Sequence, residues 1–224
     1  MFTFEVSVNA IRAARTHAAD KDPRFYLLGV HFDLESGRIV ATDGHRAFIC
    51  AGPVVPGAGT FIMPNTLIDS VLKAVGKRPL YDTVTVELSD LWRPRGITVS
   101  AVGATFNAKE VEGIFPDWRR IVPQSVSGET AQFNPEYLTD AREALATYKG
   151  FKADKTAFKV SHNGTSPSIC TSNCDDAIVI VMPLRDMVVP GAAEATGRAA
   201  WAVSMANRDA AAANAAAATT GAAA

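Results

Sequence analysis

The chain has 224 residues, 48% of them apolar, and a formal net charge of −1. That length holds one or two compact domains with a real core, and the apolar share excludes a disordered chain. A general nucleic-acid binder is basic as a whole, so any such contact here must come from a local patch. No apolar run reaches about 18 residues, so no membrane-spanning helix is expected. The start, "MFTFEVSVNA", lacks a basic region followed by a long apolar run, so it does not read as a secretory signal. Three cysteines, Cys50, Cys170 and Cys174, are an odd and sparse set that suits a reducing cytosol better than a disulfide framework. Cys170 and Cys174 have neither a second pair nor a nearby His pair, so they read as buried thiols and no metal is expected.

In chain order the first predicted elements come from "FEVSVNAIRAARTHA", an alternating strand, then Asn9, then a helical pattern carried by Ile11, Ala14 and Ala18. Strand-like runs follow: "FYLLGVHFDL", "GRIVAT" and "HRAFICA". Between the last two, Asp43-Gly44 is a hairpin signal. The pattern recurs in "TFIMPNTLIDSVLKAV", with Asn65 at the junction, followed by "DTVTVELS", "GITVSAV" and "ATFNAKE". It recurs again in "AQFNPEYLTDAREALATY", with Asn134 at the junction, followed by "TAFKVSH", "SPSICTS" and "DAIVIVMP". Asn at each junction is expected to cap its helix, because its side-chain oxygen accepts an orphan N–H of the first turn. Pro135 fits the first helical position. The chain therefore reads as three βαβββ units, over about 1–53, 58–123 and 129–185. Residues 186–224 form an Ala-rich tail, expected to be a solvated appendage with a helix over 197–215.

Three motifs, "ATDGHRA", "FPDWRRIVP" and a closing "VMPLR", fall in an order that resembles the β sliding clamp family of bacterial DNA polymerase III. "DPRFYLLGV" and "FNPEYLTDAREAL" are similar to further segments of that family. The resemblance covers roughly 1–185 and implies an α+β DNA-clamp fold, with helices lining a ring interior and sheets outside. Family chains have six such units, so the resemblance is to a shortened form. Residues 1–124 resemble the family's full middle domain, 125–185 the second half of its last domain, and 186–224 is the tail. Ala47 stands where the family usually carries a larger aliphatic residue, and Leu184 replaces a frequent Met.

The resemblance implies a pocket for short linear peptides of polymerases and repair proteins. Carried over position by position, it comprises Leu27, Thr42, Gly44, His45, Arg46 and Ala47 from the first unit. Pro123, Ile180, Val181, Met182, Pro183, Leu184 and Arg185 complete it. An apolar groove edged by Arg suits an apolar-anchored peptide. An Asp43–His45 catalytic pair would need a nucleophile or a metal partner, and no motif in the chain supplies either, so no enzymatic activity and no cofactor are expected.

Helices lining a hole would carry the basic residues that meet phosphates without reading bases. The candidates are Arg12, Arg15, Lys21 and Arg24, then Lys73, Lys77 and Arg78, then Arg142, Lys149 and Lys152. Phe25 and Tyr26, beside Arg24, are implied as a DNA-contacting loop. Helices pack about 8–10 Å apart and are themselves about 10 Å wide, so twelve in a ring leave a hole of roughly 21–28 Å. That admits a duplex, and nine helices leave too little. Three helices per chain then imply a homotetramer. The implied partners are duplex DNA, a DNA polymerase and other proteins bearing clamp-binding peptides, and a clamp loader, in the cytoplasm at the nucleoid. The alternative is a module that never encircles DNA and sequesters clamp-binding peptides.

Overall fold

The structure is a computed structural model that describes residues 1–77, 82–89 and 93–184. The Ala-rich tail, Arg78 and Arg185 lie outside the described residues. Strand β1 (Phe2–Ser7) leads into helix α1 (Val8–Arg15), followed by β2 (Gly29–Asp33), β3 (Arg38–Thr42) and β4 (Arg46–Ala51). Strand β5 (Thr60–Pro64) leads into α2 (Asn65–Val75), followed by β6 (Thr83–Leu88), β7 (Gly96–Ala101) and β8 (Ala104–Lys109). Helix α3 (Pro135–Lys149) is followed by β9 (Lys159–Ser161), β10 (Ser168–Ser172) and β11 (Cys174–Val181). The strands form two antiparallel sheets, a four-stranded one in the order β1-β6-β7-β8 and a seven-stranded one in the order β5-β2-β3-β4-β11-β10-β9.

The two sheets differ in how they are covered, and the sequence carries the difference. β6 and β7 alternate buried and less buried residues, because one face packs on the helices and the other is open. β2 is buried throughout and β3 and β4 nearly so, because both faces of the seven-stranded sheet are covered there. On one face lie the helices and the main core, built around Phe32, Phe48, Phe61, Ile11, Ile68 and Leu145. On the other lies a smaller cluster of Leu27, Val40, Ala47, Ile49, Ile62, Phe115 and Ile180, sealed by the connection that runs from β8 through Trp118 and Ile121. Ala10, Ala13 and Ala14 of α1 are fully buried, and their small side chains let α1 pack closely against its two neighbours, α2 and α3.

Four local expectations need correction. Asn134 caps α3 as expected, accepting from Glu136 N–H at 3.0 Å, with Pro135 in the first turn. The α1 cap is instead Ser7, whose hydroxyl accepts from Ala10 N–H, and Asn9 lies inside the helix. Asn65 is the first residue of α2, and its buried amide donates to the Ala19 carbonyl at 2.8 Å, a tertiary bond that outcompetes a cap. The segment before α3 forms no strand. β1 and β5 each pair with a strand of the other run, and among the described residues no such partner strand lies beside Ala131–Asn134. Finally, the Phe25–Tyr26 end of an expected strand is a 3-10 turn, Phe25–Leu27.

Candidate functional site: a groove at the β4–β11 seam

Strands β4 and β11 pair antiparallel from Arg46↔Val181 to Ala177↔Cys50. This seam joins the early part of the chain to its last strand, and a cavity of about 180 Å³ opens at its end. The Asp43–His45 turn forms one lip. Gly44 holds a φ of +92°, a conformation open to glycine, and a Cβ there would come within 2.8 Å of the Arg24 guanidinium. Asp43 Oδ1 accepts from His45 N–H at 2.8 Å and Arg46 N–H at 3.0 Å, which fixes the turn. Thr42 Oγ1 donates to the Arg46 carbonyl at 2.7 Å and accepts from Gly44 N–H. The Asp-Gly signal thus makes a rigid rim, with the Asp43 carboxylate turned to the His45 and Arg46 backbone.

Arg46 is the electrostatic keystone of the rim. Its Nε bonds Asp43 Oδ2 at 3.0 Å, and its Nη1 bonds Asp140 on α3. Its guanidinium lies 5.0 Å from the Tyr137 ring centre, and His45 stacks on the same ring at 6.1 Å. Burial disfavours the Arg46 charge, but the bonds to Asp140 and Asp43 outweigh it and raise the pKa further. Behind this cluster His17 is fully buried, and its pKa falls to about 4 through desolvation first and then the nearby Arg46 charge.

Of the residues expected in the pocket, Leu27, Thr42, Gly44, His45, Arg46, Ala47, Ile180 and Met182 line this cavity together. Val181 does not. Neighbouring strand residues point to opposite faces, so Ile180 faces the groove and Val181 is buried in the helix-side core. Pro123, Pro183 and Leu184 also lie outside the lining. Leu184 is half exposed and its N–H donates to the Gln132 carbonyl at 2.8 Å, next to the start of α3. Residue reasoning missed the opposite wall: Phe115, Pro116, Asp117, Trp118 and Ile121, with Val40 on the floor. The signal was present in "FPDWRRIVP", whose apolar and aromatic residues have nothing to bury in a short turn except against a neighbouring sheet.

The expected DNA-contacting residues fall into two classes. Lys21, Lys73, Lys77 and Lys152 are exposed, and among the described residues none is ion-paired. Others are partnered. Arg12 donates to the Gly76 and Lys77 carbonyls beyond the end of α2. Arg15 pairs with Asp69 at 2.8 Å and Asp20 at 2.7 Å, Arg24 with Asp22 at 2.7 Å, and Lys149 with Asp176 at 3.1 Å. Arg142 is half-buried on α3, and Phe25 is exposed on the 3-10 turn beside half-buried Tyr26. Arg24 also lines the peptide-pocket candidate, so it sits at the boundary of both expected sites.

No family model matches the chain. Among curated proteins it is 31% identical to the beta sliding clamp of Escherichia coli K12 over 121 residues, 51% of this chain and 31% of that protein. It is 23% identical to the beta sliding clamp of Haemophilus influenzae over 186 residues, 80% of this chain and 49% of that protein. Among solved structures, the Bartonella birtlesii sliding clamp bound to griselimycin superposes with a TM-score of 0.61 at 17% identity, covering 82% of this chain and 66% of that one. The Bacillus subtilis DNA polymerase sliding clamp gives 0.62 at 14% identity, covering 83% and 64%. The fold is therefore that of the sliding clamps. In sequence and in fold the chain is similar to the bacterial beta sliding clamps and to DNA polymerase III beta subunits, spanning about a third to a half of the length of the curated relatives it matches.

Proposed function

We propose that the chain is a DNA sliding clamp, a processivity factor that encircles duplex DNA and tethers a DNA polymerase without doing chemistry. The observation that supports this most is the groove itself. Residues from "ATDGHRA", from "FPDWRRIVP" and from the closing strand, distant in sequence, converge on one apolar cavity rimmed by Arg46 and Arg24. Such a groove takes an apolar side chain of an extended peptide. The small Ala47 at its floor leaves it deeper than a larger aliphatic residue would. Tethering through this groove raises the local concentration of polymerase on its template without any further contact.

In this reading residues 1–124 act as one full clamp domain and 125–185 as a half domain. Twelve helices from four chains enclose the duplex, a clamp loader opens the ring, and Arg12, Lys21, Lys73, Lys77 and Lys152 contact phosphates without base preference. The test is topological. Protein loaded on a nicked circular plasmid, by a bacterial clamp loader or by reassembly of diluted protomers around the DNA, should stay bound through gel filtration. It should be lost once the plasmid is linearised. Equal loss from both forms, together with intact peptide binding, would overturn encirclement and leave a peptide-sequestering module.

A further inference from the structure

The chain contains two kinds of junction between its helix-and-sheet runs. The first is reciprocal. β1, which precedes α1, pairs with β6, the first strand after α2, and β5, which precedes α2, pairs with β2, the first strand after α1. The second joins last strand to last strand, β4 to β11, antiparallel, with α1 packed on α3 alongside. Each run thus has an exchange side and a last-strand side. The run built on α1 uses both. The run built on α2 has used only its exchange side, and the run built on α3 only its last-strand side.

The sheet edges are β1 and β8 in one sheet and β5 and β9 in the other; β1 and β5 belong to the exchange junction already made, which leaves β8, a six-residue strand, and β9. β4 and β8 are both the last strands of their runs and are equally long. β4 has β11 paired along its outer edge and is buried along most of its length, whereas β8 has no strand at its outer edge among the described residues and none of its own residues is buried. The β8 edge carries unpaired backbone groups, the usual template for a further strand. In this chain last strands meet last strands and exchange sides meet exchange sides, so a β8 edge matches another β8 edge and does not match β9.

We infer that β8 pairs antiparallel with β8 of a second copy across a two-fold axis, an isologous junction. This rests on the proposed ring and deepens it. With β8 spent on β8, the two remaining β9 ends of such a pair must also meet like with like, so the tetramer has dihedral symmetry. Two grooves then open on each face of the ring, and a polymerase can be tethered from either side.

The test uses the cysteines. Cys50, Cys170 and Cys174 are all buried and free, so one introduced on β8 reacts alone. Thr105→Cys and Asn107→Cys, both at exposed positions, are treated as native full-length protein with a short bis-maleimide. Across an antiparallel two-fold near the middle of β8, positions 105 and 107 each lie within about 10 Å of their own equivalents, in reach of the linker, so denaturing gels should show dimers and nothing larger. A 1:1 mixture of Thr105→Cys with Lys159→Cys should give no mixed dimer. Monomers only from both β8 variants, or a mixed 105–159 dimer, would overturn the inference in favour of head-to-tail closure. Native mass of the same samples separates this from failure of the ring, since a tetramer without β8 cross-links refutes the junction alone and a monomer refutes both.

Discussion

Arg46 is the strongest single test of how the groove is held. Its side chain is 13% exposed, against 20% for Asp43 and 40% for Asp140. Exposed ion pairs contribute about 0.2–1 kcal/mol, and breaking a buried pair costs about 3–5 kcal/mol. This network lies between those limits. Arg46→Met keeps most of the volume but strands Asp43 and Asp140, and removes the cation from the Tyr137 ring. It should cost about 2–3 kcal/mol. Asp140→Asn leaves the Arg46–Asp43 bond in place and frees a more exposed carboxylate position, so about 1 kcal/mol is expected. In the Arg46→Met background Asp140→Asn should cost nothing, giving a coupling of about 1 kcal/mol. Urea unfolding followed by circular dichroism, at one fixed protomer concentration, measures all four corners of the cycle. A coupling of zero, with Arg46→Met as stable as the parent, would show that the rim is held by sheet pairing and not by this cluster.

Two further outcomes follow from the site. Met182→Ala removes an apolar side chain from the groove wall and should weaken a fluorescent clamp-binding peptide by about 1–3 kcal/mol, or roughly 5- to 150-fold; titration by fluorescence anisotropy reads it, and an unchanged affinity would place the peptide elsewhere. His17 titrates near 6.5 unfolded but at about 4 folded, so the native state excludes a proton that the unfolded chain takes up. Its contribution is complete above pH 6.5 and is lost as pH falls through 6.5 toward 4, at most roughly 3 kcal/mol. His17→Gln should flatten the stability profile in that window, partially, because buried His31 is also lowered to about 4. A profile as steep as the parent's would assign the loss to other groups.

Period-two and helical spacing located the strands and helices well, because each has a face that must be buried. What the pattern did not reveal were choices made by distant partners. Asn9 and Asn65 carry the right chemistry for a cap, but Ser7 sits closer to the turn that needs it, and Asn65 is claimed by the Ala19 carbonyl. "AQFN" alternates like a strand, yet a strand exists only where another supplies its hydrogen bonds. Val181 fell on the wrong side of the sheet because a contiguous motif was carried over whole, although side chains along a strand take turns between faces. The wall from Phe115 to Ile121 stayed hidden for the opposite reason, since a connecting segment has no period to read.

In the proposed clamp, the distribution of charge is what would let a chain of net charge −1 serve a polyanion. The α1 and α2 helices carry Arg12, Arg15 and Lys73, with Lys77 just beyond α2 and Asp69 as the carboxylate that Arg15 answers. α3 instead carries Glu136, Asp140 and Glu143, and Asp140 is spent on Arg46 at the groove. Cationic side chains are thus gathered on and beside α1 and α2, while α3 gives one carboxylate to Arg46 at the groove rim. A phosphate contact made through so few free cations adds little per chain to the salt dependence of binding. A ring closed as proposed would not need more, because topology and not affinity would keep it on DNA, and weak, sequence-blind contacts would let it move.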